Sequence, residues 1–398
     1  MMNGNPLPNR RLIQVLLCAF VWTAGSMALF ASESAGESAC CMIVFKKDDM
    51  VCAKWARTEK TLFQNPLART VIEWSLGRAP VTVIKEGKYE VERTLTIPRS
   101  GVALVIGPDA EMAAGPEAEL TALTEGHARF STLIHNQRRD DVRIINLGTL
   151  DAGGKTISKD HGTDVRGKNG WPSCVVFDGR NGGTCGIQGG MIFSPGRVEN
   201  CHDAFWVVDS THVRIPLVYR KSCGNVPLAM EGCENCSVGL VAGLQGAKSF
   251  ENETLDFNSF NRGIEVNTLI GTGPVRDEIL DINNSPGCTI GRVIGYGPSE
   301  QMNLVSRTRY GPGGRRLTQK PYIDNSKGTV VKEKKVVPTE IAEWKRKVEV
   351  PGYPGSLPLL TVNTSLTAVF EDGSKDEIYA ETFRFELQGK GADSDERR

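Results

Sequence analysis

The middle of the chain repeats itself, and the period of the repeat is what most limits the fold. Glu253-Thr254-Leu255-Asp256-Phe257-Asn258 and Glu278-Ile279-Leu280-Asp281-Ile282-Asn283 agree at four of six positions with an offset of 25. Met230-Glu231-Gly232 stands one offset of 25 before Asp256, Val208-Asp209-Ser210 a further 22 before that, and Phe177-Asp178-Gly179 a further 31. A second line runs beside the first: Cys236-Ser237-Val238-Gly239-Leu240 matches Cys288-Thr289-Ile290-Gly291-Arg292, with Val142-Arg143-Ile144, Cys185-Gly186-Ile187 and Val213-Arg214-Ile215 as weaker members. Units of 22–31 residues, built of short strands and glycine turns without helical spacing, fit a parallel β-helix. One coil cannot bury its apolar face alone, whereas stacked coils make a continuous core. Alternation then turns Leu255, Phe257, Leu280 and Ile282 inward, and Asp256, Asn258, Asp281 and Asn283 outward.

Composition agrees with a turn-rich β protein. Glycine numbers 43 against 20 prolines, and 40% of residues are hydrophobic, enough for a core. Lys+Arg and Asp+Glu are each 47, so the basic excess of a general nucleic-acid binder is absent. Residues 1–31 read as a secretory signal, with Arg10-Arg11 before the apolar run Leu12–Phe30 and small residues at Ala28 and Ala31. A single membrane anchor is the alternative for this stretch. Export implies a secreted or periplasmic protein, off the membrane once cleaved and expected to be a monomer. Of eleven cysteines, ten follow the signal; Cys185, Cys236 and Cys288 share one register and are expected to stack inside rather than pair. Cys233-x-x-Cys236 lacks the partner ligands of a zinc site, and no metal site is expected.

The organisation expected is an N-terminal segment with a capping helix over 32–79, the β-helix over 80–335, a small β appendage or cap over 336–391 and a disordered tail over 392–398. The helix is placed at 61–76, where Leu62, Leu67, Val71, Ile72 and Leu76 have near-helical spacing. Val81–Ile84, Tyr89–Val91, Leu95–Ile97 and Val102–Ile106 read as strands. After Pro338 a short helix is expected from Thr339 through Lys347, then strands at Leu359–Val362, Thr367–Phe370 and Thr382–Phe385, with a turn at Asp372-Gly373.

Several stretches resemble a known superfamily. Gly87-Lys88-Tyr89, Thr94-Leu95-Thr96-Ile97-Pro98 and Ser100-Gly101-Val102 resemble the opening coil of pectate-lyase-like right-handed parallel β-helix proteins. Gly148-Thr149-Leu150-Asp151-Ala152-Gly153-Gly154 and Met191-Ile192-Phe193-Ser194-Pro195 resemble steps of the polygalacturonase-like members. The resemblance spans about residues 80–300 and implies the fold. The polygalacturonase N-T-D, D-D and G-H-G steps have no counterpart here, nor has the pectate-lyase W-i-D-H step, so neither family's catalytic residues carry over. The acidic outward strand is also similar to that of iota-carrageenase-type glycoside hydrolases.

The chemistry expected is that of paired carboxylates. Neighbouring coils lie about 4.8 Å apart, so stacked acids can divide into a proton donor and an ionised partner. Glu231, Asp256, Asp281 and Glu265 are the catalytic candidates; Asp209, Asn258 and Asn283 are expected to bind substrate. Arg307, Arg309 and Tyr310 form a basic, aromatic stretch that suits an anionic polysaccharide. A glycoside hydrolase on a uronic-acid or sulfated-galactan polymer needs no cofactor. The alternatives are a Ca²⁺-dependent lyase on the same fold, and a non-catalytic carbohydrate-binding β-helix.

Overall fold

The computed structural model describes residues 41–387, apart from 126–127, 160–161, 167–169, 181–185, 222–225, 245–253, 273–278, 298–303, 307–309, 312–314, 317–325, 340 and 354–358. The chain forms a parallel β-helix. A long sheet of twelve strands gathers one strand from each coil, running through Cys41–Lys47, Val81–Ile84, Ala103–Ile106, Arg143–Asn146, Met191–Ser194, Arg214–Lys221, Ser237–Leu244, Glu265–Thr272, Thr289–Tyr296 and Val330–Val337. A second sheet includes Ala128–Gln137, Trp171–Asp178, Phe205–Val208, Leu228–Glu231, Leu255–Ser259 and Leu280–Ile282. A short third sheet holds Gly87–Arg93, Ala110–Glu119, Thr149–Asp151 and Arg197–Glu199.

The repeat seen in the sequence is the register of these sheets. Leu255, Asp256 and Phe257 lie opposite Leu280, Asp281 and Ile282. Leu255, Phe257, Leu280 and Ile282 point into one core with Val218, Val241, Leu269 and Val293 of the long sheet. Each fully buried aliphatic or aromatic side chain there contributes roughly 1.5–3 kcal/mol. Cys236 and Cys288 do share a register, but Ile264 of the intervening coil stands between them. The seven described cysteines, Cys41, Cys52, Cys174, Cys201, Cys233, Cys236 and Cys288, are all buried. Cys185 lies outside the described residues.

Three local expectations change. The helix is shorter, Ala68–Leu76, because Pro66 holds Asn65 extended; Phe63–Asn65 is a strand instead, and the Asn65 side chain accepts the Leu67 N–H at 2.8 Å. Parallel pairing begins before residue 80, at Cys41 opposite Val81. No helix follows Pro338: Ile341–Glu349 is a strand, in which Trp344, Arg346 and Val348 alternate with exposed Lys345, Lys347 and Glu349. Period-2 burial and pairing with Leu359–Phe370 override the capping signal at Thr339. With Lys375–Glu386, joined through the Asp372-Gly373 turn, these strands make a three-stranded antiparallel sheet.

This appendage lies against the outer face of the long sheet. Leu360, Val362, Leu366 and Phe383 pack on Phe193, Leu217, Leu240 and Ile270, outward residues that a lone solenoid would expose. They sit toward the ends of the strands. At the starts of the same strands Met191 is still covered, whereas Arg214, Ser237 and Glu265 are exposed.

Candidate functional site

The outward faces of the second and long sheets both carry acids, and their geometry differs. On the second sheet the expected row of five acids does not form. Asp178 pairs with Val208, which pairs with Glu231. Asp209 follows the strand end, in a left-handed turn conformation at φ 43°. Leu228 and Met230 pair with Leu255 and Phe257, an offset of 27 rather than 25, so the neighbour of Asp256 in that coil is Ala229, and Glu231, past a local register shift, lies beside Ser259. The 25-residue count between Glu231 and Asp256 is therefore not the register of these two strands. Asp256 and Asp281 alone are direct cross-strand neighbours.

Much of that face is buried, although Asp209 is exposed and Glu231 half-buried. Asp256 is 9% exposed, Asp281 1% and Asn283 1%. Asp178 is held by Arg180, whose Nε and second guanidinium nitrogen donate to its two oxygens at 3.0 Å each. The Arg180 backbone N–H adds a third bond at 3.0 Å, and His135 Nε2 lies 3.5 Å from Oδ2. Burial pushes the Asp178 carboxyl up, but the bonds from His135 and Arg180 and the arginine's charge outweigh it and hold it well below the usual range. Arg180 also stacks on Trp206, 4.8 Å from the ring centre. Asp209 shifts oppositely: burial pushes it up, and Asp178 adds to this against the pull of Arg180. The side chain of Asn258 lies outside the described residues, as do Arg307, Arg309 and the side chain of Tyr310.

The face that is open belongs to the long sheet. The first residues of its strands form one register: Arg143, Met191, Arg214, Ser237, Glu265, Thr289 and Val330. Two positions before each stands a residue with positive φ, namely Asp141, Gly189, His212, Asn235, Gly263, Gly287 and Gly328. One left-handed turn per coil thus sets where every strand starts and aims its first side chain outward. Two residues further, Pro216, Gly239, Asn267 and Gly291 form a floor of close backbone approach. A Cβ on Gly239 would lie 2.2 Å from the Pro216 carbonyl oxygen, and one on Gly291 2.4 Å from that of Asn267. This explains the glycines of the second repeat line.

Over this floor lies a cleft of about 1130 Å³, walled on its other side by Glu381, Arg384 and Glu386 of the appendage. Seven strands contribute to it, from Arg143 to Lys332, so at about 4.8 Å per strand it runs roughly 29 Å along the solenoid. Arg143, Arg214, Lys332 and Arg384 bring positive charge; Asp141, Glu265 and Glu381 bring carboxylates. Glu265 and Arg214 are exposed and two strands apart, about 9.6 Å by strand spacing. Tyr379 donates its hydroxyl proton to Glu381 Oε2 at 2.5 Å, and Arg143 donates to the Glu386 carbonyl.

No family model matches the chain. No curated protein matches it either. Among solved structures, the chain is similar to that of a "putative glycosyl hydrolase" from Parabacteroides merdae, at 11% identity and a TM-score of 0.28. The match covers 68% of this chain and 88% of that one; so distant a likeness carries no argument about function.

Of the sequence candidates among the described residues, only Glu265 lines the cleft. His212, Arg143, Arg214, Lys332, Glu381 and Arg384 were missed as site residues. Arg143 and Arg214 did carry a signal, since they occupy the outward position of the second repeat line. Cys185-Gly186-Ile187 was misplaced in that line, where Met191 stands. Glu381 and Arg384 had no signal, because nothing in the sequence says on which face the appendage lies.

Proposed function

We propose that the protein is a glycoside hydrolase acting on an anionic polysaccharide laid along the cleft of the long sheet. The observation that carries this reading is the cleft itself: open, extended along the solenoid axis, and lined by arginines interleaved with carboxylates. Guanidinium forks suit carboxylate or sulfate substituents of a polymer. Glu265 on the floor and Glu381 on the facing wall are the acid–base pair of this proposal. One protonates the leaving glycosidic oxygen, and the other activates water or attacks the anomeric carbon. Asp256 and Asp281 are assigned to the solenoid's framework, because a polymer has no access to carboxylates so deeply buried.

The test is a screen of purified protein on pectate, alginate and sulfated galactans, reading new reducing ends and the ultraviolet absorbance of an eliminated product, with and without EDTA. Reducing ends without that absorbance are expected. Glu265→Gln and Glu381→Gln should each lower turnover by about 10²–10⁴-fold at unchanged Tm. Asp281→Asn should lower Tm and leave the turnover of the folded protein intact. Loss of turnover in Asp256→Asn and Asp281→Asn, with Glu265→Gln active, would move the reaction to the second sheet. Absorbance that EDTA abolishes would make the enzyme a lyase.

A further inference from the structure

A second cavity, about 480 Å³, opens where the appendage meets the edge of the third sheet, away from the cleft residues. Arg197, Glu199 and Asn200 line it from that sheet and its following turn, Tyr219 from the long sheet, and Trp344 and Arg346 from the appendage. The volume is that of a small-ligand pocket.

Arg346 is the unusual member. Its guanidinium lies over the Tyr219 ring, 5.3 Å from the centre, and donates to the Pro195 carbonyl. Among the described residues no carboxylate pairs with it. A guanidinium has five N–H donors, and taking one out of water without a counter-charge is costly. Two charges share its cavity, Arg197 and Glu199, and the carboxylate is engaged with Arg197 rather than with Arg346. Burial weakens the proton affinity of Arg346, and Arg197 acts in the same direction. Arg197 itself has only a loose partner, Glu199 at 3.9 Å, with side chains 68% and 44% exposed, a contact that water screens.

We propose that this cavity is an anion site, in which Arg197 and Arg346 together clamp an oxyanion and Trp344, beside the Tyr219 ring that Arg346 covers, offers an apolar wall to the group that carries it. The ligand class is an acidic or sulfated sugar unit. The oxyanion supplies the charge that Arg346 lacks, and the aromatic wall favours a flat apolar sugar face over a bare ion. The site joins the solenoid to the appendage, so an occupant would also tie the two together.

The experiment is thermal unfolding and calorimetric titration of the full chain with sodium glucuronate, sodium sulfate and glucose, ionic strength being held with sodium chloride. Glucuronate is expected to bind and raise Tm, sulfate to do so more weakly, and glucose to do neither. Arg197→Ala is exposed and leaves the packing alone; it should weaken glucuronate binding at least tenfold. Arg346→Lys keeps the charge and loses the fork, and should weaken it too. Sulfate binding alone, with none of glucuronate, would reduce the site to one for inorganic oxyanions and overturn the sugar assignment. Equal binding by wild type and Arg197→Ala, or an equal Tm rise in chloride, would overturn the site altogether.

Discussion

The outward faces of the second and long sheets both carry acids, and they use them in opposite ways. On the second sheet Asp178, Asp256 and Asp281 are buried, and Asp178 is locked to Arg180. On the long sheet Glu265 and Arg214 stand exposed over a cleft, with the charges of the appendage across from them. Alternation along a strand decides whether a side chain points in or out of the solenoid. It does not decide whether "out" means water. That depends on what packs over the face, and the same long sheet shows both answers: its strand ends lie under the appendage, whereas Arg214, Ser237 and Glu265 at the strand starts are exposed.

If the second face is framework, breaking its best-defined ion pair should cost stability heavily. Arg180→Ala leaves a buried carboxylate without its cation, for a loss of about 3 kcal/mol at neutral pH. The pH dependence gives the sign. Asp178 is depressed in the folded state, so its contribution is fully present above the unfolded carboxyl pKa of about 4 and is lost as pH falls toward the lower folded value. Urea midpoints measured from pH 7 down to pH 2 should therefore show wild type and Arg180→Ala far apart at the top and converging at the acid end. A gap that stayed constant with pH would mean that Arg180 stabilises through its stacking on Trp206 instead.

The floor of the open face makes a smaller demand. Gly239→Ala sets a methyl group against the Pro216 carbonyl, a backbone atom that cannot swing away, and should destabilise by about 2 kcal/mol. Gly287→Ala is the control: nothing lies within 4 Å of its Cβ, so only its φ of 68° opposes the change, for about 1 kcal/mol. Chemical denaturation of the two variants separates close approach from turn conformation. Gly239→Ala should also blunt glycan binding, since the close approach it disturbs is the cleft floor; Gly287→Ala should not.

The fold was legible because period and register are one thing in a solenoid. Leu255 over Leu280 and Phe257 over Ile282 could be read directly from the repeated hexapeptide. The site was less legible, for three physical reasons. Leu228 pairs with Leu255 and Met230 with Phe257 at an offset of 27, so Glu231 falls off the Asp256 line that a count of 25 suggests. Asp209 is acidic and in phase by counting, yet it occupies a left-handed turn, a conformation that aspartate tolerates. Glu381 and Arg384 reach the cleft from a sheet whose docking surface depends on apolar residues of four separate coils, Phe193, Leu217, Leu240 and Ile270. Glu265 was named for its acidity beside the Asp256 rung, and the register of the long sheet supplies the better reason.

The weakest effect bears on the rim of the open face. His212 holds φ 58° at a turn position that other coils fill with Gly189, Gly263, Gly287 and Gly328, or with Asp141 and Asn235, whose side chains tolerate it. Histidine there costs about 1–2 kcal/mol of backbone strain, which glycine would relieve. Glycine also gives the unfolded chain more freedom, which returns roughly 0.5–1 kcal/mol of that gain. His212→Gly should therefore raise stability, by less than about 1 kcal/mol, and a thermal melt beside wild type measures it. His212 is exposed and lines the cleft, so the comparison of faces makes a second demand on the same variant. A protein that becomes more stable while binding its glycan less well would show strain kept for the ligand's sake. If it became more stable and bound equally well, the open face would begin inside His212, at Arg214 and Glu265.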